Sequence, residues 1–139
     1  GRGELKHKLN KYINEKKLNK NIKLINFKNN PYKYLKQSDI FILTSTYEGL
    51  PNVILEALVL KKFVISSNCP TGPKEILLNG KGGLIFKTGN FQQLAKKILF
   101  YIENKKICNK MLKKSLSKMD RFDQKKNLKK YLKFVEKYI

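Results

Sequence analysis

The run Ile40-Phe41-Ile42-Leu43 leads into the polar loop Thr44-Ser45-Thr46-Tyr47-Glu48-Gly49-Leu50. Pro51-Asn52-Val53-Ile54-Leu55-Glu56-Ala57-Leu58-Val59-Leu60 follows, and then Phe63-Val64-Ile65-Ser66. The two short apolar runs read as strands covered on both faces, as in a parallel sheet. Between them the pattern predicts a helix over 51–60, since proline is tolerated in a first turn. That helix is apolar nearly all round and is expected to be buried. Ligands of such sheets bind beyond the carboxyl ends of the strands, in loops that enter helices. The loops at 44–51, 67–73 and 26–31 are therefore the ones to read for chemistry.

Working outward, residues 4–18 space Leu5, Leu9, Ile13 and Leu18 among lysines and predict an amphipathic helix. Residues 22–27 alternate loosely and predict a short strand, and Pro31 opens a short helix to 36. Beyond 66, a turn-rich stretch precedes a short helix at 74–78. Gly80, Gly82 and Gly83 then turn the chain into a strand at 84–86. Asn90 is placed to cap the next helix with Gln93 three positions on, as in a capping box, and Leu94, Ile98 and Ile102 form its core face. Two further helical patterns follow, the last with Leu128, Tyr131, Leu132, Val135 and Ile139 on one side. Strand and helix alternate about five times, which predicts an α/β fold with a mainly parallel sheet. The expected organisation is a partial Rossmann-like domain over 1–104 and C-terminal helices over 105–139 that pack on it.

Composition narrows the classes. The chain has 139 residues, 41 % of them hydrophobic, enough to close a core and too many for a disordered tail. No apolar run approaches the roughly 20 residues that cross a bilayer, and the first residues show no secretory-signal pattern. Cys69 and Cys108 form neither a disulfide framework nor a zinc cluster, so a reducing compartment is expected. Gly1 in place of Met points to a processed chain or a piece of a longer one. The net charge is +21, with 11 basic and 2 acidic residues over 1–38 and 13 and 3 over 105–139. All the basic residues but Arg2 and Arg121 are Lys. Three readings stay open: codon bias shared by Lys, Asn and Ile, an anionic membrane surface, or nucleic acid, the last disfavoured by the scarcity of Arg.

Glu56 is the one charge on the 51–60 helix, about 7.5 Å beyond Pro51 at 1.5 Å per residue. A carboxylate there needs a hydrogen-bonding partner. It either touches solvent or a lysine at the helix edge, or accepts two hydroxyls of a polyol such as ribose. Glu48 lies eight positions earlier, beside a helix start whose N–H groups favour anions. Two carboxylates around a helix N-terminus suit a ligand that is part phosphate and part sugar.

The pattern Ser45-x-x-Glu48-Gly49-Leu50-Pro51-x-x-x-x-Glu56-Ala57 resembles the glutamate-x7-glutamate signature of family 4 retaining glycosyltransferases with the GT-B fold. The blocks Ser38-Asp39-Ile40, Val64-Ile65-Ser66-Ser67-x-Cys69-Pro70-x-Gly72-Pro73-x-Glu75 and Asn79-Gly80-Lys81-Gly82-Gly83-Leu84 are similar to that family in order and spacing, over about 1–104. The resemblance is closest to bacterial surface-polysaccharide and lipopolysaccharide members. It implies the C-terminal, donor-nucleotide half of the GT-B architecture. Glu56 would bind ribose, and Glu48 would contact the transferred sugar. Backbone N–H groups of Gly49, Leu50, Asn52 and Val53 would hold the diphosphate. Asn26, Phe27 and Lys28 match the nucleobase region, and Glu75 is a secondary candidate, in the cleft or at a helix dipole. The donor implied is a nucleotide-sugar, UDP-linked, carrying a hexose or N-acetylhexosamine. The acceptor is a glycan or lipid-linked glycan at the cytoplasmic membrane face.

The same resemblance implies retention without a protein nucleophile and without a metal: Asp39, Asp120 and Asp123 form no Asp-x-Asp motif. Gly1-Arg2-Gly3 is similar to the family's glycine turn, with Arg2 where an acid is common. The acceptor domain and the Arg/Lys pair that clamps pyrophosphate are expected upstream, so this chain alone is expected to be inactive. The competing reading is a basic nucleic-acid or membrane-surface binding module using the lysine-rich ends. A glycoside hydrolase with Glu48 and Glu56 as its acid and base is disfavoured by the apolar helix around Glu56. His7 reads as solvated or capping, and Cys69 as a small buried residue.

Overall fold

β1 (Ile40–Leu43), β2 (Phe63–Ser67) and β3 (Leu84–Phe86) form a parallel sheet in the order β1-β2-β3, in a computed structural model that describes residues 3–138. Ile40 lies opposite Phe63, and Ser67 opposite Phe86. The helices are α1 (Lys6–Glu15), α2 (Tyr32–Gln37), α3 (Asn52–Val59), α4 (Pro73–Ile76), α5 (Phe91–Glu103), α6 (Lys105–Leu116) and α7 (Gln124–Val135). Two 3₁₀ turns, Leu78–Gly80 and Met119–Phe122, complete the order. The chain divides into two units, Gly1–Tyr34 and Leu35–Ile139.

Strand periodicity splits the core of the larger unit in two. Phe41, Leu43, Val64 and Ile85 pack with Ile54, Ala57 and Leu58 of α3 and Ile76 and Leu77 around α4. Ile40, Ile42, Phe63, Ile65, Leu84 and Phe86 pack with Leu94, Ile98 and Tyr101 of α5 and Cys108 of α6. Alternate side chains of every strand thus enter different clusters, the layered arrangement the apolar runs predict. Tyr101 stacks on Phe63 at 5.2 Å between ring centroids, and its hydroxyl donates to Asp39 O. Both cysteines are buried free thiols, and burial pushes the Cys108 thiol up while Lys105 opposes it.

Glycine decides how closely α6 approaches. A Cβ on Gly82 would lie 1.9 Å from Ser115 Oγ, which donates to Gly82 O at 3.0 Å. On Gly83 it would lie 2.8 Å from both Leu77 and Val64 O.

Several expectations need correction. The expected strand over 22–27 is not among the three strands of the described residues. Ile102 is 57 % exposed, and Tyr101 takes its place in the core. Seven residues from Leu94 bring a side chain within about 20° of the same face, whereas eight carry it about 80° round. Asn90 caps α5 through its side chain, which accepts from Gln93 N at 2.8 Å, but Gln93 accepts from Lys87 N, so the box is not reciprocal. The 74–78 helix is observed as Pro73–Ile76. In α1 only Ile13 is buried, with Leu5 and Leu9 exposed. The helix α3 is buried on one side only, with Val53 and Val59 facing solvent. Arg2 and Ile139 lie outside the described residues, as does most of the Gly1-Arg2-Gly3 turn.

Candidate functional site

Parallel strands place the loops after β1 and β2 at the same end of the sheet, and a set of short contacts ties the two loops together. Thr71 Oγ1 lies 2.5 Å from Glu48 O and 2.8 Å from Pro70 O, so its one proton serves either carbonyl. Ser67 Oγ donates to Ser45 O at 2.6 Å. Ser45 Oγ in turn donates to Glu48 Oε1 at 2.7 Å. Gly72 has φ +82°, and a Cβ there would lie 2.3 Å from Pro51 Cδ and 2.5 Å from Gly49 O. Only glycine meets both the backbone conformation and the close approach.

The loop so held ends at the start of α3. Pro51 is its N-cap and supplies no side-chain hydrogen bond, while Ile54 N already bonds Pro51 O. The N–H groups of Asn52 and Val53 form the open positive end of the helix, and both residues are exposed. Glu48 and Glu56 are each half-buried, Glu48 in the loop and Glu56 in the middle of α3. Gly49 and Leu50 are exposed beside them. The structure thus brings Glu48, Gly49, Leu50, Asn52, Val53 and Glu56 onto one loop and the helix it enters. The arrangement offers backbone donors for an anion and carboxylates for hydroxyls.

Glu75 lies exposed in the first turn of α4, where its charge faces the helix dipole, and Arg121 Nη2 donates to its carbonyl at 3.3 Å. Within the smaller unit, Asn26, Phe27 and Lys28 line an open cleft of about 370 Å³ with Ile25, Pro31 and Tyr34. Asn26 Oδ1 accepts from Lys6 Nζ at 2.5 Å. A second cavity of about 160 Å³ lies beside α1 and holds none of the candidate site residues. His7 is exposed on α1. Among the described residues no three His, Cys, Asp or Glu side chains gather as metal ligands, and no helix is long and apolar enough to cross a membrane.

Sequence reasoning missed the clamp made by Ser67, Thr71 and Gly72. The signal was present in Ser66-Ser67 ending an apolar strand and in the Thr71-Gly72-Pro73 turn, but the bonding partner of each lies more than twenty residues away.

Comparison with known proteins bears on the family and the fold. An uncharacterized glycosyltransferase of Methanocaldococcus jannaschii is 51 % identical over 77 residues, 55 % of this chain and 19 % of that protein. A Campylobacter jejuni enzyme named as an N-acetylgalactosamine-N,N'-diacetylbacillosaminyl-diphospho-undecaprenol 4-alpha-N-acetylgalactosaminyltransferase is 28 % identical over 97 % of this chain and 37 % of its own length. The chain therefore spans well under half the length of these relatives. A mutant of Staphylococcus aureus TarM, crystallised with fondaparinux, alpha-GlcNAc-glycerol and UDP, superposes with a TM-score of 0.83 at 26 % identity, over 94 % of this chain and 27 % of that one. The fold matches the C-terminal domains of GT-B glycosyltransferases. Residues 1–118 match the family described as glycosyl transferases group 1, and the chain belongs to that family.

Proposed function

We propose that this chain forms the donor-binding part of a retaining, metal-independent glycosyltransferase. It takes a hexose or N-acetylhexosamine from a UDP-linked donor for transfer to a surface glycan or lipid-linked acceptor at the cytoplasmic membrane face. The observation that carries the reading is the β1–α3 connection. Glu48 and Glu56 flank an uncapped helix start, and the loop between them is clamped from β2. Glu56 accepts the ribose hydroxyls, and Glu48 meets the transferred sugar. N–H groups of Gly49, Leu50, Asn52 and Val53 stabilise the charge that develops on the leaving diphosphate. Asn26, Phe27 and Lys28 take the base. TarM, crystallised with UDP, supports the nucleotide, and the C. jejuni relative, named for a lipid diphosphate, supports the acceptor class. The acceptor site is assigned to a further domain of the kind the relatives' greater length allows.

Calorimetric titration of the 139-residue chain with UDP, with and without magnesium, tests the site. Glu56→Gln is expected to weaken UDP binding roughly tenfold, the order of one hydrogen bond to a charged group. Binding of a polyanion such as heparin should be unchanged. An unaltered UDP affinity in that variant refutes the ribose assignment. The +21 charge favours a basic surface module as second reading, in which binding collapses with salt and ignores Glu56.

A further inference from the structure

The hydroxyl groups around Glu48 do more than close a loop. Ser67 is fully buried at the end of β2 and holds the carbonyl of Ser45. Ser45 occupies one carboxylate oxygen of Glu48, and Thr71 reaches the carbonyl of the same residue. A glutamate has three side-chain torsions, and an untethered one spreads over many rotamers. Here both the backbone and the carboxylate are held, from two different strand ends. Gly72 seals the arrangement by its approach to Gly49 and Pro51.

We propose that Ser45, backed by Ser67, is a positioning residue that presents Glu48 to the sugar of the donor. It thereby sets how strongly the site prefers a nucleotide-sugar over the bare nucleotide. This rests on the donor-site reading above, with Glu56 serving the nucleoside and Glu48 the sugar. Ser45 fixes Oε1 and leaves Oε2 aimed at a sugar hydroxyl, so the cost of ordering the carboxylate is met before the ligand arrives. Without the serine hydroxyl, the carboxylate must be ordered by the ligand itself. That loss falls on the sugar and not on the nucleotide.

The test compares dissociation constants of the 139-residue chain for UDP, UDP-glucose and UDP-N-acetylglucosamine, read by calorimetry. In Ser45→Ala the gain from UDP to whichever nucleotide-sugar binds more tightly is expected to fall about fivefold, the order of one hydrogen bond. Affinity for UDP itself should stay within about twofold of the unsubstituted chain, a change too small to signal a lost hydrogen bond. Ser45→Thr, which keeps a hydroxyl, should restore the gain, a rescue that a role in loop packing alone does not predict. Thermal unfolding of each variant checks that the fold is retained. Four results overturn the proposal. In the first, Ser45→Ala keeps the full gain while Glu48→Gln loses it. In the second it weakens UDP and UDP-sugar equally, and in the third it unfolds together with Ser45→Thr. In the fourth, the unsubstituted chain binds UDP with no gain for either sugar. A chain that binds no UDP, or binds it independently of Glu56, instead refutes the donor-site reading and takes this proposal with it.

Discussion

Helices α3 and α7 belong to the same unit, and both space apolar residues at helical intervals, yet their fates are opposite. In α3, Ile54, Ala57 and Leu58 are wholly buried, while α7 buries no residue along its twelve. Leu128, Tyr131 and Phe134 of α7 are each more than half exposed. Periodicity reports which face of a helix can be buried; whether it is depends on what the topology sets against it. The helix α3 joins two paired parallel strands and must lie on the sheet. Among the described residues, neither cluster on the sheet draws on α7. It is tied instead to the turn before it, through the Asp123 cap on Lys126 N and Asn127 Nδ2 donating to Arg121 O.

Truncation at matched positions offers the sharpest way to break this contrast. Leu58→Ala removes a fully buried side chain from a close-packed cluster and is expected to cost about 2–5 kcal/mol. Leu132→Ala, half-exposed on α7, should stay within about 0.5 kcal/mol. Urea denaturation of both variants measures the difference. Equal losses would mean that α7 is covered in solution, and the comparison would fail.

Gly72→Ala is expected to rank second. At φ +82° an L-residue carries backbone strain of about 1–3 kcal/mol, and the new methyl meets Pro51 and Gly49 O. The Glu48 loop must shift to admit it, so weaker UDP binding should accompany the lower unfolding midpoint. A variant with unchanged stability and affinity would show that the two loops are not locked together at this point.

The parts legible in the sequence are those set by local pattern. Three apolar runs became the three strands, and Asn90 capped α5 at the residue expected. The eight-residue spacing of Glu48 and Glu56 placed both on one loop and its helix. Features set by distant neighbours were not legible. Residues 22–27 have a strand's composition but are not assigned as a strand. The spacing from Leu94 pointed to Tyr101, but its stacking on Phe63 and its bond to Asp39 O did not show in the sequence. The clamp on Glu48 uses Ser67 and Thr71, ordinary polar residues until the sheet brings them against the preceding loop.

The smallest predicted effect concerns what holds α7 in place of burial. Lys126 Nζ lies 2.5 Å from Asp120 Oδ2, and this hydrogen bond, with the charge behind it, holds the Asp120 carboxyl below its usual range. The same bond raises Lys126 above an ordinary lysine. The carboxylate's contribution is complete above its unfolded value near ~3.9 and is lost as pH falls through the lower folded value. The lysine's is complete below ~10.4 and is lost as pH rises through its higher folded value. Both side chains are exposed, so water and salt screen the pair. Asp120→Asn should therefore lower stability slightly at neutral pH and low salt. The difference from the unsubstituted chain should vanish in acid below the folded carboxyl value, and again at high salt. A deficit that persists under either condition would mean that Asp120 acts through packing of the Met119–Phe122 turn. The ends of this unit would then resemble α3 more than their exposure implies.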